Sequence, residues 1–300
     1  MQILLTLICD PARPVIDAGL LDAVRDKLED LGGIAGTPDW LAPGIACDLA
    51  CAGVSPAEAA PAIRTVIGNA PVDLVIHEEQ EERRRKLLIA DMDSTIITVE
   101  CLDEIADFAG RKKEVAAITE QAMRGELEFE AALRARIGML GPLPEATLAT
   151  AYAERVKLMP GAQALVRTMR ANGAQCVLVS GGFTYFTERV AREVGFHETF
   201  ANRLLFENGR LTGVADPILG REAKLATLRH QCEKLQITPD QALAVGDGAN
   251  DLAMIEVAGM GVAYRAKPVV AAAARAQINH ADLTALLYLQ GYRSSEFHAG

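Results

Sequence analysis

The chain has 300 residues, of which 50% are hydrophobic and 23% are charged, and its formal net charge is −10. This length exceeds the usual size of a single hydrophobic core, so we expect two or three structural units. The composition argues against a disordered or fibrous protein, and no segment has the apolar length of a membrane span. An acidic chain without a basic stripe is also a poor partner for nucleic acid or for an anionic membrane.

The opening stretch MQILLTLICD has no basic residue before its apolar run and reaches Asp10 almost at once. It therefore predicts a buried strand rather than a secretory signal. The six cysteines form no C-x-x-C pair and no cluster with histidine at zinc-ligand spacing. We interpret them as buried thiols in a reducing compartment and expect a cytoplasmic protein.

The first 77 residues predict a small domain with the element order β-α-β-β-α-β, in which two short strands lie between the two helices. Strands are predicted at ILLTLIC, around Trp40, at GIACDLACAG and at VDLVIH, with helices at LLDAVRDKLEDLG and SPAEAAPAIRTVIG. Ser55, with Glu58 three residues later, predicts a capping box at the start of the second helix. This order is typical of an α+β ferredoxin-like fold.

A charged stretch, HEEQEERRRK, follows at residues 77–86. It is too polar for a core, and its mixed signs favour a solvated helical connector over an interaction tail. We therefore expect a linker over residues 78–86 and a second unit over residues 87–300.

The second unit alternates apolar strands with helices, which predicts an α/β Rossmann-like parallel sheet covered on both faces. The strands are predicted at LLIAD (87–91), CVLVS (176–180), ALAVGD (242–247) and GVAY (261–264). The helical stretch at about residues 100–160 is too long for a simple crossover and predicts a separate helical cap. Residues 203–216 contain Asn208-Gly209, the signal of a type I′ hairpin.

Polar residues follow three of these strands, at the sheet edge where open parallel sheets bind ligands. Asp91 and Asp93 follow the first strand, Ser180-Gly181 the second, and the stretch DGAND (247–251) the third. Carboxylates gathered at one edge repel each other unless a cation lies among them, and oxygen ligands of this kind suit Mg²⁺. The spacing of the acids does not fit a calcium-binding loop.

The paired aspartates suggest a division of labour in phosphoryl transfer. One carboxylate can attack phosphorus while the other donates and later accepts a proton. SGGFT offers a hydroxyl and backbone amides to an anion, and Lys224 is a candidate for the cation that a phosphate site on an acidic edge needs. Taken singly, each has an ordinary alternative: a capped helix for D-x-D, a simple turn for Gly-Gly, and a surface side chain for Lys224.

Together, DMDSTIITVE, SGGFT, a downstream lysine and GDGAND resemble the motifs of the haloacid-dehalogenase-like phosphohydrolases. The resemblance extends over about residues 86–290. It implies that Asp91 is the nucleophile and becomes an aspartyl-phosphate, and that Asp93 is the general acid and then the base. It also implies that Mg²⁺ is held by the Asp91 carboxylate, the Asp93 main-chain carbonyl and Asp247.

The same resemblance implies roles for the residues around the phosphate. Ser180, the Gly181 amide and Lys224 would bind phosphoryl oxygens, and Asn250 would contact the phosphate edge. Asp251 would orient Lys224 or the waters of the metal.

The resemblance places the substrate-selecting residues in the cap, at Glu100, Met123, Phe129 and Arg136. Its implied substrate is O-phosphoserine, whose ammonium would meet Glu100 and whose carboxylate would meet Arg136. Phe129 and Met123 would close over the site. Without the resemblance, all of them read as ordinary helix residues.

The implied reaction is the magnesium-dependent release of serine and phosphate from O-phosphoserine, the last step of serine biosynthesis. Two alternatives remain open: a related phosphatase for another small phosphomonoester, and an inactive amino-acid-binding regulatory protein. The amino-terminal unit resembles the ACT-like domains of some members of the family. Such a domain predicts serine feedback, and a role in forming a homodimer or in stabilising the protein is equally expected.

Overall fold

The computed structural model describes residues 2–78, 82–123 and 126–298, apart from the side chains of residues 122 and 123. The amino-terminal unit consists of five strands and two helices. They are β1 (Gln2–Cys9), α1 (Ala18–Asp30), β2 (Ile34–Ala35), β3 (Asp39–Ala42), β4 (Ala46–Ala52), α2 (Pro56–Ile67) and β5 (Val72–Glu78).

The strands of this unit form one antiparallel sheet in the order β2-β4-β1-β5, with β3 also paired to β4. This arrangement is ferredoxin-like, as the element order predicts. The capping box of α2 is present, because the Ser55 hydroxyl accepts from Glu58 N at 3.3 Å and the Glu58 carboxylate accepts from Ser55 N at 3.0 Å. The helices pack on the face of β1 that carries Ile3, Leu5 and Leu7.

The second unit consists of a core sheet with its helices, a cap and a hairpin. The cap comprises α3 (Cys101–Phe108), α4 (Lys112–Met123), α5 (Phe129–Met139) and α6 (Ala146–Arg155). The other elements are β6 (Leu87–Ala90), α7 (Ala162–Ala171), β7 (Gln175–Phe183), α8 (Thr184–Val194), β8 (Glu198–Asn202), β9 (Leu204–Glu207), β10 (Arg210–Val214), α9 (Arg221–Leu235), β11 (Ala242–Gly246), α10 (Leu252–Val257), β12 (Met260–Tyr264), α11 (Pro268–Ala273), β13 (Ala276–Ile278) and α12 (Ala285–Tyr288).

The core sheet is parallel, with the strand order β13-β12-β11-β6-β7-β8. The predicted α/β Rossmann-like core is therefore confirmed. The chain leaves β6 in one direction to β7 and returns to its other side at β11, so the strand order reverses at β6, where such sheets bind ligands. The edge strands β8 and β13 were not predicted, because ETFAN is largely polar and AQI is very short.

The cap leaves and rejoins the core through two adjacent segments. Thr98 N donates to Lys157 O at 2.9 Å, and Met159 N donates to Ile96 O at 2.8 Å. The hairpin β9–β10 supports the cap from outside, since Glu145 N donates to Gly209 O at 3.0 Å. Its turn has the positive φ values of the predicted type I′ form, 49° at Asn208 and 71° at Gly209.

Residues 82–86 of the predicted linker run as irregular chain, so the prediction of a helical connector is wrong there; residues 79–81 lie outside the described residues. The reason is the half-buried Arg83. Its guanidinium donates to Asp48 Oδ2 at 2.5 Å and to the carbonyls of Tyr288 and Leu289 at 3.3 and 3.1 Å. These contacts with both units hold the segment in a non-helical path.

A buried carboxylate completes the contact between the units. Asp73 of β5 accepts hydrogen bonds of 2.8 to 3.2 Å from the backbone N–H groups of Asn279, His280 and Ala281. The face of β1 that the helices leave uncovered carries Ile8, which joins the hydrophobic cluster of the second unit. Among the described helices, none has both the length and the apolar character needed to cross a bilayer.

Candidate active site

The residues predicted to lie at the strand ends surround one cleft of about 520 Å³. Asp91 directly follows β6, and its N–H continues the sheet ladder to Val245 O of β11 at 3.0 Å. Asp247 directly follows β11, and Ser180 lies near the end of β7. The cleft is lined by Asp91, Asp93, Ser180, Gly181, Asp247 and Asn250 of the core and by Glu100, Phe129 and Arg136 of the cap.

Lys224 lies beneath the cleft, in the second turn of α9, with 1% of its surface exposed. Its Nζ donates to Asp91 Oδ1 and to Asp251 Oδ1, both at 2.5 Å. Burial lowers the pKa of Lys224, but the charges of Asp251 and Asp91 outweigh burial and raise that pKa above its ordinary value. Lys224 therefore stays a cation, and Asp251 contacts it directly.

The turn after β11 brings Asp251 very close to the backbone of the strand. A Cβ at Gly246 would lie 2.4 Å from Asp251 Cγ, and one at Gly248 would lie 2.4 Å from Asn250 Oδ1. Gly248 N also donates to Asp251 Oδ2 at 3.1 Å. The glycines of GDGAND therefore leave the space that these polar side chains occupy.

The Asp93 carboxylate is oriented by the backbone of the cap and by a side chain near the end of β7. Cys101 N donates to Asp93 Oδ1 at 2.9 Å, and the Ser180 hydroxyl donates to Asp93 Oδ2 at 3.2 Å. Burial raises the pKa of Asp93, although the Cys101 N–H opposes the rise. A raised pKa suits a carboxyl group that donates a proton.

Three carboxylates have the geometry for a cation. Oxygen atoms of Asp91, Asp247 and Asp251 lie within 4.8 Å of one another. Burial, and then the charge of Asp251, raises the pKa of Asp247 to about 6. A hard divalent cation would relieve this repulsion, and the all-oxygen donor set fits one. Asp251 is thus a member of the carboxylate cluster. The Asp93 carboxylate instead binds Cys101 N and the Ser180 hydroxyl, so only the main-chain carbonyl of Asp93 stays predicted as a metal ligand.

Glu100 lies at the start of α3 and faces the cleft. The Ser94 hydroxyl donates to Glu100 Oε1 at 2.6 Å, and Ser94 adopts a left-handed backbone conformation with φ of 57°. Burial, followed by the negative charge of Asp93, raises the pKa of Glu100 to about 7. A cation brought beside Glu100 would hold it ionised.

Phe129 begins α5 and covers the end of β7. A Cβ at Gly181 would lie 3.3 Å from the Phe129 ring, and one at Gly220 would lie 3.1 Å from it. Arg136, two turns later in α5, lines the cleft and donates from Nε to Ala132 O at 3.3 Å. Burial lowers the pKa of Arg136 from its ordinary value. The side chain of Met123 lies outside the described residues.

The sequence interpretation missed Lys267, whose side chain also lines the cleft. Its N–H donates to Asp247 O at 3.0 Å, and its charge opposes the rise in the pKa of Asp247. Lys267 follows the end of β12, so the rule that found Asp91 and Asp247 could have identified it. Leu102 and Thr119 of the cap also line the cleft, and no local sequence signal marks them.

Comparisons with known proteins agree with this site. Residues 88–256 match the family model described as haloacid dehalogenase-like hydrolase. A phosphoserine phosphatase of Albidiferax ferrireducens is 48% identical over 210 residues, which are 68% of this chain and 89% of that protein.

Two solved structures match nearly the whole chain and therefore include the amino-terminal unit. A HAD family hydrolase from Salmonella enterica serovar Typhi has a TM-score of 0.82 at 31% identity. The superposition covers 96% of this chain and 98% of the chain of that hydrolase. A probable phosphoserine phosphatase from Vibrio cholerae has a TM-score of 0.80 at 29% identity. The superposition covers 98% of this chain and 88% of the Vibrio chain.

The close approach at Gly246 gives a testable prediction. Alanine there must displace the Asp251 side chain, and with it Lys224 and the carboxylate cluster. We expect Gly246→Ala to weaken binding of a divalent cation at least tenfold in isothermal titration calorimetry with Mg²⁺ as the probe, and to lower turnover on the order of 10²-fold, as displacement of about 1 Å can. The matched control is Gly138→Ala, where a Cβ meets nothing within 4 Å; equal Mg²⁺ affinity in both variants would contradict this interpretation.

Proposed function

Because this chain belongs to the haloacid dehalogenase-like hydrolase family, we propose that it is a phosphoserine phosphatase, which hydrolyses O-phosphoserine to serine and phosphate. One observation carries the proposal. The cleft that contains Asp91 and Asp93 is also lined by Glu100 and Arg136, a carboxylate and a guanidinium supplied by the cap. The relative from Albidiferax ferrireducens, which is 48% identical, is a phosphoserine phosphatase, and this supports O-phosphoserine as the substrate.

In the first step, the Asp91 carboxylate attacks phosphorus and the bond to the serine oxygen breaks. Asp93, whose pKa is raised, donates its proton to that leaving oxygen. In the second step, Asp93 accepts a proton from water, which attacks the aspartyl-phosphate and releases phosphate. Magnesium held by Asp91, Asp247 and the Asp93 carbonyl would neutralise charge so that two anions can approach each other.

The phosphoryl group is held by residues around the nucleophile. Lys224 is a permanent cation 2.5 Å from Asp91, so it can stabilise negative charge on the transferred group. Gly181 and Asn250 line the same cleft, and the Gly181 N–H and the Asn250 side chain can donate to phosphoryl oxygens. The Ser180 hydroxyl, which donates to Asp93 here, can instead donate to a phosphoryl oxygen.

The cap selects the rest of the substrate. Arg136 is held at its Nε by Ala132 O, and its guanidinium can bind a carboxylate with two parallel hydrogen bonds. The pKa of Glu100 is raised to about 7, and the ammonium of phosphoserine would favour its ionised form. Phe129, above Gly181, excludes water while the phosphoenzyme forms.

We place the enzyme in the cytoplasm, at the last step of serine biosynthesis. The six cysteines are buried and unpaired, which suits a reducing compartment. Serine feedback through the amino-terminal unit and a homodimer both stay predictions.

The proposal is tested by phosphate release over a panel of phosphomonoesters, with and without Mg²⁺. We expect O-phosphoserine to have the highest kcat/KM, and turnover to disappear when the metal is chelated. Equal or better turnover of an ester without an α-amino acid group would refute the serine assignment and favour another small phosphomonoester. No turnover of any ester would favour a regulatory protein.

Carboxylate recognition is tested by Arg136→Ala. We expect KM for O-phosphoserine to rise at least tenfold, because a bidentate charged hydrogen bond is lost, while KM for an aryl phosphate without a carboxylate changes little. The matched control is Arg134→Ala, two residues away on the same helix, where the guanidinium binds Glu130 and Asp216 outside the cleft. Parallel losses on both substrates in Arg136→Ala would rule out this role.

A further inference from the structure

Asn202 is a buried polar side chain that the proposed mechanism does not use. It ends β8 and is 2% exposed. Its Nδ2 donates to Gly181 O at 2.8 Å and to Leu219 O at 3.2 Å, and its Oδ1 accepts from Leu219 N at 2.7 Å. These partners are two acceptors and one donor, so they fix the orientation of the amide.

One of these bonds holds a peptide group near the end of β7, where the strand pairing is irregular. The carbonyl of the Gly181–Gly182 peptide accepts from Asn202, and the N–H of the same peptide donates to Ser180 Oγ at 2.8 Å. The peptide plane is therefore fixed at both ends. Because the N–H occupies a lone pair of Ser180 Oγ, the serine's own proton points elsewhere, and in this structure it is donated to Asp93.

The end of β7 needs such a restraint because it contains two glycines that pack closely against neighbouring side chains. A Cβ at Gly182 would lie 2.8 Å from Asp93 Oδ2, and one at Gly181 would lie 3.3 Å from Phe129. Glycine gives this close approach, but it also leaves the backbone free to adopt other conformations. A side chain that binds this part of β7 offsets that freedom.

The other bonds hold the start of the helix that carries Lys224. Both the N–H and the carbonyl of Leu219 bind Asn202, and Leu219 precedes Gly220, at the start of α9. Phe129 packs over both Gly181 and Gly220. Asn202 therefore joins the end of β7 to the residues that precede α9, close to the aromatic ring from the cap.

We propose that Asn202 is a positioning residue for phosphate binding, which sets the Gly181–Gly182 peptide, the Ser180 hydroxyl and the start of α9 relative to one another. The proposal rests on the proposed function for the role of Ser180 and Gly181 as phosphate ligands. Asn202 does not touch the substrate. Its loss should weaken every interaction with phosphate and leave recognition of the amino acid unchanged.

The test compares Asn202→Ala with a matched buried amide far from the cleft. Gln290 is 1% exposed, donates to Leu286 O at 2.8 Å and to Met169 Sδ at 3.5 Å, and accepts from Arg85 N at 3.0 Å. Gln290→Ala therefore removes a similar set of bonds. Thermal melts of both variants control for global stability. If Asn202→Ala does not fold, Asn202→Asp keeps the size and the acceptor for Leu219 N but removes the amide donors.

The readouts separate phosphate binding from amino-acid binding. In the full-length protein with Mg²⁺, we expect Asn202→Ala to raise the Kd of inorganic phosphate at least tenfold by calorimetry. It should lower kcat/KM at least tenfold, by the same factor for O-phosphoserine and for an aryl phosphate. The inhibition constant of serine should stay within about twofold, because serine meets the cap.

A change in phosphate affinity below tenfold, or an equal loss in Gln290→Ala, overturns the proposal. The phosphate titration needs no turnover, so its result is independent of the substrate assignment. If the wild-type protein binds phosphate but does not hydrolyse O-phosphoserine, the proposed function fails and the test of Asn202 still stands. If the wild-type protein binds no phosphate, both fail.

Discussion

The arrangement of the site depends on one buried interaction, the contact of the Lys224 ammonium with the carboxylates of Asp91 and Asp251. A buried charge is stable only when it is paired and hydrogen-bonded. Lys224 meets this condition through two contacts of 2.5 Å, which come from two different strand ends. The pairing fixes α9 against β6 and the turn after β11, and it leaves Asp247 facing the cleft with a raised pKa. The carboxylate cluster therefore already binds one cation, the Lys224 ammonium, and has oxygen ligands for a second one, a metal ion.

The rest of the second unit divides the chemistry between two parts. In the proposed function, the sheet edge supplies the groups that bind phosphate, and their packing requires close backbone approach at glycines such as Gly246 and Gly182. The cap supplies Glu100 and Arg136, and it is joined to the core by two short hydrogen-bonded segments. The hairpin supports the cap from outside. The amino-terminal unit contacts the second unit through Asp73, and Arg83 of the linker contacts both units; neither residue lines the cleft.

The sequence predicts the strand-end residues well because the physical rule is simple: parallel strands bring their carboxyl ends to one edge. Asp91, Asp93, Ser180 and Asp247 follow from that rule alone. Placing Glu100 and Arg136 in the same cleft required the family resemblance, since helical periodicity does not show how a cap folds over a sheet.

Other features depend on tertiary contacts that leave no local pattern. Asn202 ends a polar edge strand without an apolar run, so neither the strand nor its buried amide is visible in ETFAN. The chain around Arg83 resembles a solvated helix by composition, yet its guanidinium is captured by Asp48 and two carbonyls, which draws the segment out of helical form. In both cases a long-range hydrogen bond decides the local structure.

The central claim is that Asp91 is the nucleophile, and the most direct measurement is a search for the phosphoenzyme. The protein is mixed with O-phosphoserine carrying radiolabelled phosphate in the presence of Mg²⁺ and quenched in acid during turnover. We expect label on the wild-type protein that hydroxylamine removes, as it does an acyl phosphate, and no label or turnover in Asp91→Asn. Turnover by Asp91→Asn at the wild-type rate, or label bound at another residue, would contradict this mechanism.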